Sequence, residues 1–146
     1  MNGPIVVGTD GSQTAAAAVR AATTLAKTFG QPLHVVCSSS SPSAADGLAF
    51  TAGATVLKVN ESWVQDVLDD AAAQIRLSNV DVVTHAKVGS AAEAILDVAD
   101  EVSADLIVVG NRGIDSKSRF ILGNVPSRVV HHATCSTFVV NTTKRN

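Results

Sequence analysis

The chain contains few aromatic residues, few cysteines and little net charge. Its 146 residues include four Phe, one Trp and no Tyr, so its core must be built from Val, Ile, Leu and Ala. A formal net charge of −2 gives no electrostatic reason to expect a nucleic-acid partner or an anionic membrane surface. The two cysteines, Cys37 and Cys135, lie far apart in valine-rich segments. This placement indicates small buried side chains rather than a disulfide framework.

Long apolar runs are also missing. No stretch approaches the roughly 18 apolar residues of a membrane span. The first ten residues, MNGPIVVGTD, have neither the basic start nor the apolar segment of a secretory signal peptide. We therefore expect one cytoplasmic domain over residues 1–146, which is long enough to bury a core.

Five short β-branched runs alternate with four helical patterns. The runs are PIVVGT, PLHVVCS, VDVVTHAKV, ADLIVVG and STFVVN. Ser12 predicts the N-cap of the first helix and Gly30 its end, whereas the second helix is expected to begin near Lys58 and the last near Val125. The resulting order, βαβαβαβαβ, predicts an α/β fold with an open five-stranded parallel sheet and helices on both faces.

The strands differ in how polar they are. In the third, Val80, Val82, Ala86 and Val88 alternate with polar residues, which is typical of an edge strand. The fourth has no polar side chain after Asp105 and is expected to be central. The last is short and apolar and is expected at a sheet edge.

The first and fourth strands are expected to be the most buried. Each ends in a glycine-containing turn, GTDGS after the first and GNRG after the fourth. In open α/β sheets, ligands bind beyond the carboxyl ends of strands where the strand order reverses. If the two strands are neighbours at that point, both turns face one crevice.

Three glycines follow at intervals from the end of the fourth strand. Gly110 and Gly113 are separated by two residues, and Gly113 and Gly123 by nine. Glycine lets a ligand approach the main chain closely. The segment is not a Walker A loop, which needs Gly-Lys-Ser/Thr at the start of the helix.

The residues after Gly123 predict a helix start. Asn124 is a good N-cap and Pro126 is favoured in a first helical turn. The free N–H groups of such a turn, together with the helix dipole, form an anion site, and Arg112 adds positive charge. A nucleotide phosphate suits this site. The alternative interpretation is that the glycines build only a turn and a cap.

The pattern Gly110-x2-Gly113-x9-Gly123-Asn124 resembles the nucleotide-binding signature of the universal stress proteins, in which Ser or Thr follows the last glycine. IVVGTDGS resembles the first strand of the same family, with its acidic residue at Asp10. The resemblance implies a flavodoxin-like sheet, also described as adenine nucleotide α-hydrolase-like, in the order 3-2-1-4-5. It further implies a homodimer joined through the C-terminal strand, and ATP, AMP or cyclic AMP in the crevice.

Carried over by position, the resemblance implies that Asp10 contacts the ribose or a phosphate-bound Mg, with the main chain of Thr9 beside it. The main chain around Cys37 would read the adenine edge. The other positions would surround the ribose and phosphates: Gly110, Arg112 and Gly113 as lining, and Gly123, Asn124 and Val125 as a cradle of N–H groups.

Two of these positions have a second interpretation. Asn124 replaces the family's Ser or Thr and keeps a donor in its amide, but it is larger. Asp10 is also a common turn residue. No Ser-His-Asp set can be placed in one crevice, and there are no paired carboxylates near the glycine loop beyond Asp10 and Asp115. We therefore expect a regulatory nucleotide-binding module in a stress response. The alternatives are a slow ATPase, with Asp10 holding Mg, and a nucleotide-free dimeric scaffold.

The remaining polar features predict no site. His34 and His85 lie on separate strands without the partner spacing of a zinc site. His131 and His132 are adjacent on a helix and are expected at the surface. Within the Ser-rich segment 38–57, the run from Ser38 to Ser41 is expected to be a linker or lid.

Overall fold

The computed structural model describes residues 1–39, 53–112 and 121–142, with only the backbone described for residues 53–61. Within these ranges the strands are β1 (Ile5–Gly8), β2 (Leu33–Ser39), β3 (Val82–Val88), β4 (Leu106–Gly110) and β5 (Ser136–Val140). The helices between them are α1 (Gln13–Phe29), α2 (Gly53–Arg76), α3 (Ala91–Glu101) and α4 (Asn124–His132). Most of the Ser-rich segment lies outside the described residues.

All strand pairs are parallel and form one sheet in the order β3-β2-β1-β4-β5. Ile5 of β1 lies opposite Leu33 of β2 and Leu106 of β4. The predicted order, the interior place of β4 and the edge places of β3 and β5 are confirmed.

The end of β3 differs from the prediction, because Ala86 and Val88 are exposed instead of facing the core. They pair with residues of β2 that lie beyond the last β1–β2 pair, Gly8 with Val36. The sheet is narrower there, because β1 no longer pairs with β2.

The two faces of the sheet carry separate cores. Ile5 and Val7 of β1 point toward the core that α1 and α2 cover, whereas Val6 points toward α3 and α4, and all three are fully buried. Strands buried on both faces read as continuous apolar runs. This is why the first and fourth runs lack alternation. Among the described helices, none is long and apolar enough to cross a membrane.

The helix boundaries follow local chemistry. The Ser12 hydroxyl accepts a hydrogen bond from the Ala15 N–H at 3.1 Å, and Gly30 ends α1 with a φ of 64°, as predicted for both residues. The expected start of α2 near Lys58 is wrong, since the helix begins at Gly53. The small residues at its start carry no helical apolar period that would have indicated it.

Candidate functional site

A cleft of about 580 Å³ lies where the strand order reverses, at the carboxyl ends of β1 and β4. This volume is within the usual range for small-molecule sites. Both predicted turns contribute to it, and so does the start of α4. Its described lining includes seven residues predicted for the site: Thr9, Asp10, Gly110, Arg112, Gly123, Asn124 and Val125.

The turn after β1 is held by its own side chains. The Thr9 hydroxyl accepts from the Gly11 N–H at 3.2 Å, and Oδ1 of Asp10 accepts from the Ser12 N–H at 2.9 Å. Gly11 has a φ of 81°, a conformation that glycine adopts at little cost. Asp10 is exposed, so its second carboxylate oxygen is available to a ligand. The turn interpretation and the ligand interpretation of Asp10 are therefore compatible.

The start of α4 differs from the prediction in one residue. The N-cap is Gly123 rather than Asn124, because the Ser127 N–H donates to the Gly123 carbonyl and Asn124 is already helical. No side chain caps this helix. Asn124 is exposed and stands in the first turn.

The N–H groups at this helix start are not all free. The Gly123 N–H donates to the Asn111 carbonyl at 3.0 Å, and Pro126 has no N–H. The N–H groups of Asn124 and Val125 have no acceptor among the described residues. A helix start leaves such donors for water or a ligand. Of the three N–H groups predicted to cradle phosphate, those of Asn124 and Val125 are thus left for a ligand by the described residues.

The end of β2 forms another wall of the cleft. Val36 and Ser38 line it, whereas the side chain of Cys37 points into the core on the α1 and α2 face. Burial, and then the negative charge of Asp10, raise the pKa of the Cys37 thiol to about 11. The side chain of Cys37 therefore faces away from the cleft, and the contact of its main chain with adenine stays a prediction.

The charged groups of the described lining are Asp10 and Arg112. Mg²⁺ prefers oxygen ligands and is commonly held by one or two carboxylates together with substrate phosphates. Asp10 has one carboxylate oxygen to offer, and the described residues contain no cluster of three metal-ligating side chains. A magnesium ion would fit here only with a nucleotide that supplies phosphate oxygens. Gly113 lies outside the described residues.

Two features beside the cleft escaped the sequence analysis. Ile95 of α3 packs so tightly on Gly8 that a Cβ at Gly8 would collide with its Cδ1. Gly8 is thus required for packing of the helix beside the cleft. In the sequence, the signal that indicates this close packing is a glycine at the end of a buried strand. Asn111, between two predicted positions, has no local signal, because its partners are about 30 residues away.

The family model described as Universal stress protein family matches residues 1–141. The chain belongs to this family. A universal stress protein of Mycobacterium tuberculosis is 32% identical over 147 aligned positions, which cover 95% of this chain and 96% of the relative.

Two solved universal stress proteins were determined with nucleotides. One, in complex with cAMP, is 27% identical with a TM-score of 0.71. The alignment covers 97% of this chain and 98% of that protein. The other, from Archaeoglobus fulgidus in complex with dAMP, is 28% identical with a TM-score of 0.62. The alignment covers 94% of this chain and 97% of that protein. Both share the fold of this universal stress protein.

Proposed function

We propose that this universal stress protein binds an adenine nucleotide in the cleft between β1 and β4, and acts as a regulatory module in a stress response. The observation that carries the proposal is the start of α4. Two N–H groups, those of Asn124 and Val125, have no acceptor among the described residues and lie in the lining of a cleft at the reversal of strand order. The helix dipole favours an anion at this end.

The rest of the lining suits a nucleoside. Ile95 and Val109 provide apolar surface for a base, and the polar groups are few, as in most small-molecule sites. Asp10 is proposed to accept from ribose hydroxyls with its free oxygen, and Arg112 to face phosphate. The solved family members with cAMP and dAMP support an adenine base.

ATP is the nucleotide that we propose, with AMP and cyclic AMP as competitors. A magnesium ion would arrive with ATP and be held by phosphate oxygens and Asp10, where it would neutralise phosphate charge. The longer phosphate chain of ATP is proposed to extend toward the exposed side chain of Asn124. The expected homodimer and cytoplasmic location stay predictions.

Mass spectrometry of small molecules released from natively purified protein tests the proposal. Calorimetric titration with ATP, AMP and cyclic AMP then ranks them. We expect an adenine nucleotide in the extract and binding in the titration. Absence of both would favour the nucleotide-free scaffold, and steady phosphate release from ATP would favour the slow ATPase.

A further inference from the structure

Asn111 directly follows β4, and its backbone joins two other parts of the chain. Its N–H donates to the Val140 carbonyl of β5 at 2.9 Å, and its carbonyl accepts from the Gly123 N–H at 3.0 Å. The residue therefore lies between the end of β5 and the start of α4. Through Gly123 it is one residue away from the free N–H groups of the cleft.

The side chain of Asn111 adds a second connection. Its Oδ1 accepts from the N–H of Thr142 at 2.9 Å and from the Thr142 hydroxyl at 2.8 Å. Its Nδ2 donates to Oδ1 of Asn141 at 3.4 Å. A backbone N–H can only donate, so the bond from Thr142 fixes which end of the amide carries the oxygen. Asn111 is thus held at both its backbone and its side chain.

We propose that Asn111 is a positioning residue of the nucleotide site, an inference that rests on the proposed function. It fixes the carbonyl that holds Gly123, and thereby the direction of the N–H groups of Asn124 and Val125. Without the side chain, Asn111 keeps only its two backbone bonds, one to Val140 and one from Gly123. Among the described residues its carbonyl is then held by the Gly123 N–H alone, so the carbonyl and the start of α4 can shift together.

The positioning role predicts that the loss of affinity depends on whether the ligand carries a phosphate. The N–H groups that Asn111 positions would contact phosphate, whereas Val36 and Ser38 line the cleft from β2, on the other side of β1. Removing the Asn111 side chain should therefore weaken binding of AMP and leave binding of adenosine unchanged. A residue that only supports the general fold would weaken both.

Calorimetry with AMP and adenosine on wild type and Asn111→Ala tests this. We expect AMP affinity to fall by about 5- to 10-fold, the effect of roughly one misaligned hydrogen bond, while adenosine affinity is retained. Thr142→Val removes one donor to Oδ1 but keeps the Thr142 N–H, so it should lose less AMP affinity than Asn111→Ala. Equal losses for AMP and adenosine, or no loss for either, would overturn the role.

Amide hydrogen exchange on the protein without nucleotide separates this proposal from the proposed function. In Asn111→Ala, the amides of Gly123 and Thr142 should exchange faster, while that of Val108 in β4 stays protected. Asn111→Asp keeps an acceptor for Thr142 and should preserve the protection. Unchanged exchange at Gly123 in Asn111→Ala overturns the positioning role. Failure of wild type to bind any nucleotide overturns the proposed function instead.

Discussion

The N–H of Ser12 donates to Oδ1 of Asp10 at 2.9 Å, within the turn that joins β1 to α1. The same Asp10 lines the cleft and is exposed. One carboxylate oxygen therefore stabilises the turn, and the other is available to a ligand. A substitution that keeps an acceptor but removes the negative charge separates these two contributions.

Asp10→Asn should weaken nucleotide binding with little effect on stability, since the amide oxygen can still accept from Ser12. We expect the free energy of unfolding to change by no more than about 0.5 kcal/mol. Asp10→Ala removes the acceptor as well, and should also lower stability by roughly 0.5–1.5 kcal/mol. Calorimetric titration and chemical denaturation of both variants measure the two effects. Full affinity in Asp10→Asn would assign Asp10 to the turn alone.

The fold was predictable because its signals are local. Apolar runs marked the strands, Ser12 and Gly30 marked the ends of α1, and the half-polar pattern of β3 marked an edge. The order of strands came from the family resemblance, which identified the chain's relatives through three glycines and one acidic residue. The helix start at α4 was harder, because Gly and Asn are both acceptable N-caps. Only the bond from Ser127 to Gly123 decides between them.

Several side-chain contacts, at the site and elsewhere, could not be predicted because they join residues distant in sequence. Asn111 meets Thr142, 31 residues away, at a point where β4 and β5 end together. His34 and His85, 51 residues apart, meet because parallel pairing of β2 and β3 brings them onto one face. Such contacts depend on strand register, which no local pattern in this chain specifies.

The histidine pair predicts a pH-dependent stability. Nδ1 of His34 and Nε2 of His85 are 2.8 Å apart. Burial lowers the pKa of both from the ordinary 6.5, and the charge of the neighbouring histidine lowers that of His34 further. For His85, Lys87 adds to this lowering and Glu101 opposes it.

Below pH 6.5 the unfolded chain therefore binds more protons at these sites than the folded chain does. Their contribution to stability is fully present above pH 6.5 and is lost as the pH falls through the lowered pKa values. Denaturation between pH 7.5 and 5.5 should show a falling free energy of unfolding. His85→Gln should flatten this dependence, whereas His131→Gln, at an exposed position, should leave it intact. An identical slope in wild type and His85→Gln would contradict the assignment.

The edge strand β5 predicts self-association. Phe138 on this strand is 46% exposed, and an open edge with apolar residues favours pairing with another chain. Light scattering at micromolar concentration should give the mass of a dimer. Phe138→Lys should shift the protein toward monomer, while Val83→Lys, a position of 45% exposure on the opposite edge strand, should not. A monomeric wild type, or equal effects of the two variants, would count against pairing through β5.

The absence of a capping side chain at Gly123 predicts that substitutions there change both stability and nucleotide binding. Gly123 has φ −55° and ψ 159°, which any residue adopts. A Cβ there would lie 3.3 Å from the Asn111 carbonyl oxygen and 3.4 Å from two ring carbons of Pro126, so these neighbours must yield slightly. Gly123→Ala should cost about 1 kcal/mol of stability, since Ala is a poor N-cap. Its methyl group in the lining should lower nucleotide affinity by about tenfold, ~1.4 kcal/mol.

Gly123→Ser is the matched variant, because it adds the same Cβ together with a hydroxyl that caps helices. An N-cap oxygen accepts from the second or third helical N–H, and here the third residue is Pro126, so Val125 must be the donor. We expect Gly123→Ser to be about 1 kcal/mol more stable than Gly123→Ala in chemical denaturation. In titration it should bind nucleotide no better than Gly123→Ala, since its hydroxyl occupies one of the two free N–H groups. If Gly123→Ser instead binds as tightly as wild type, the Val125 N–H does not contact phosphate.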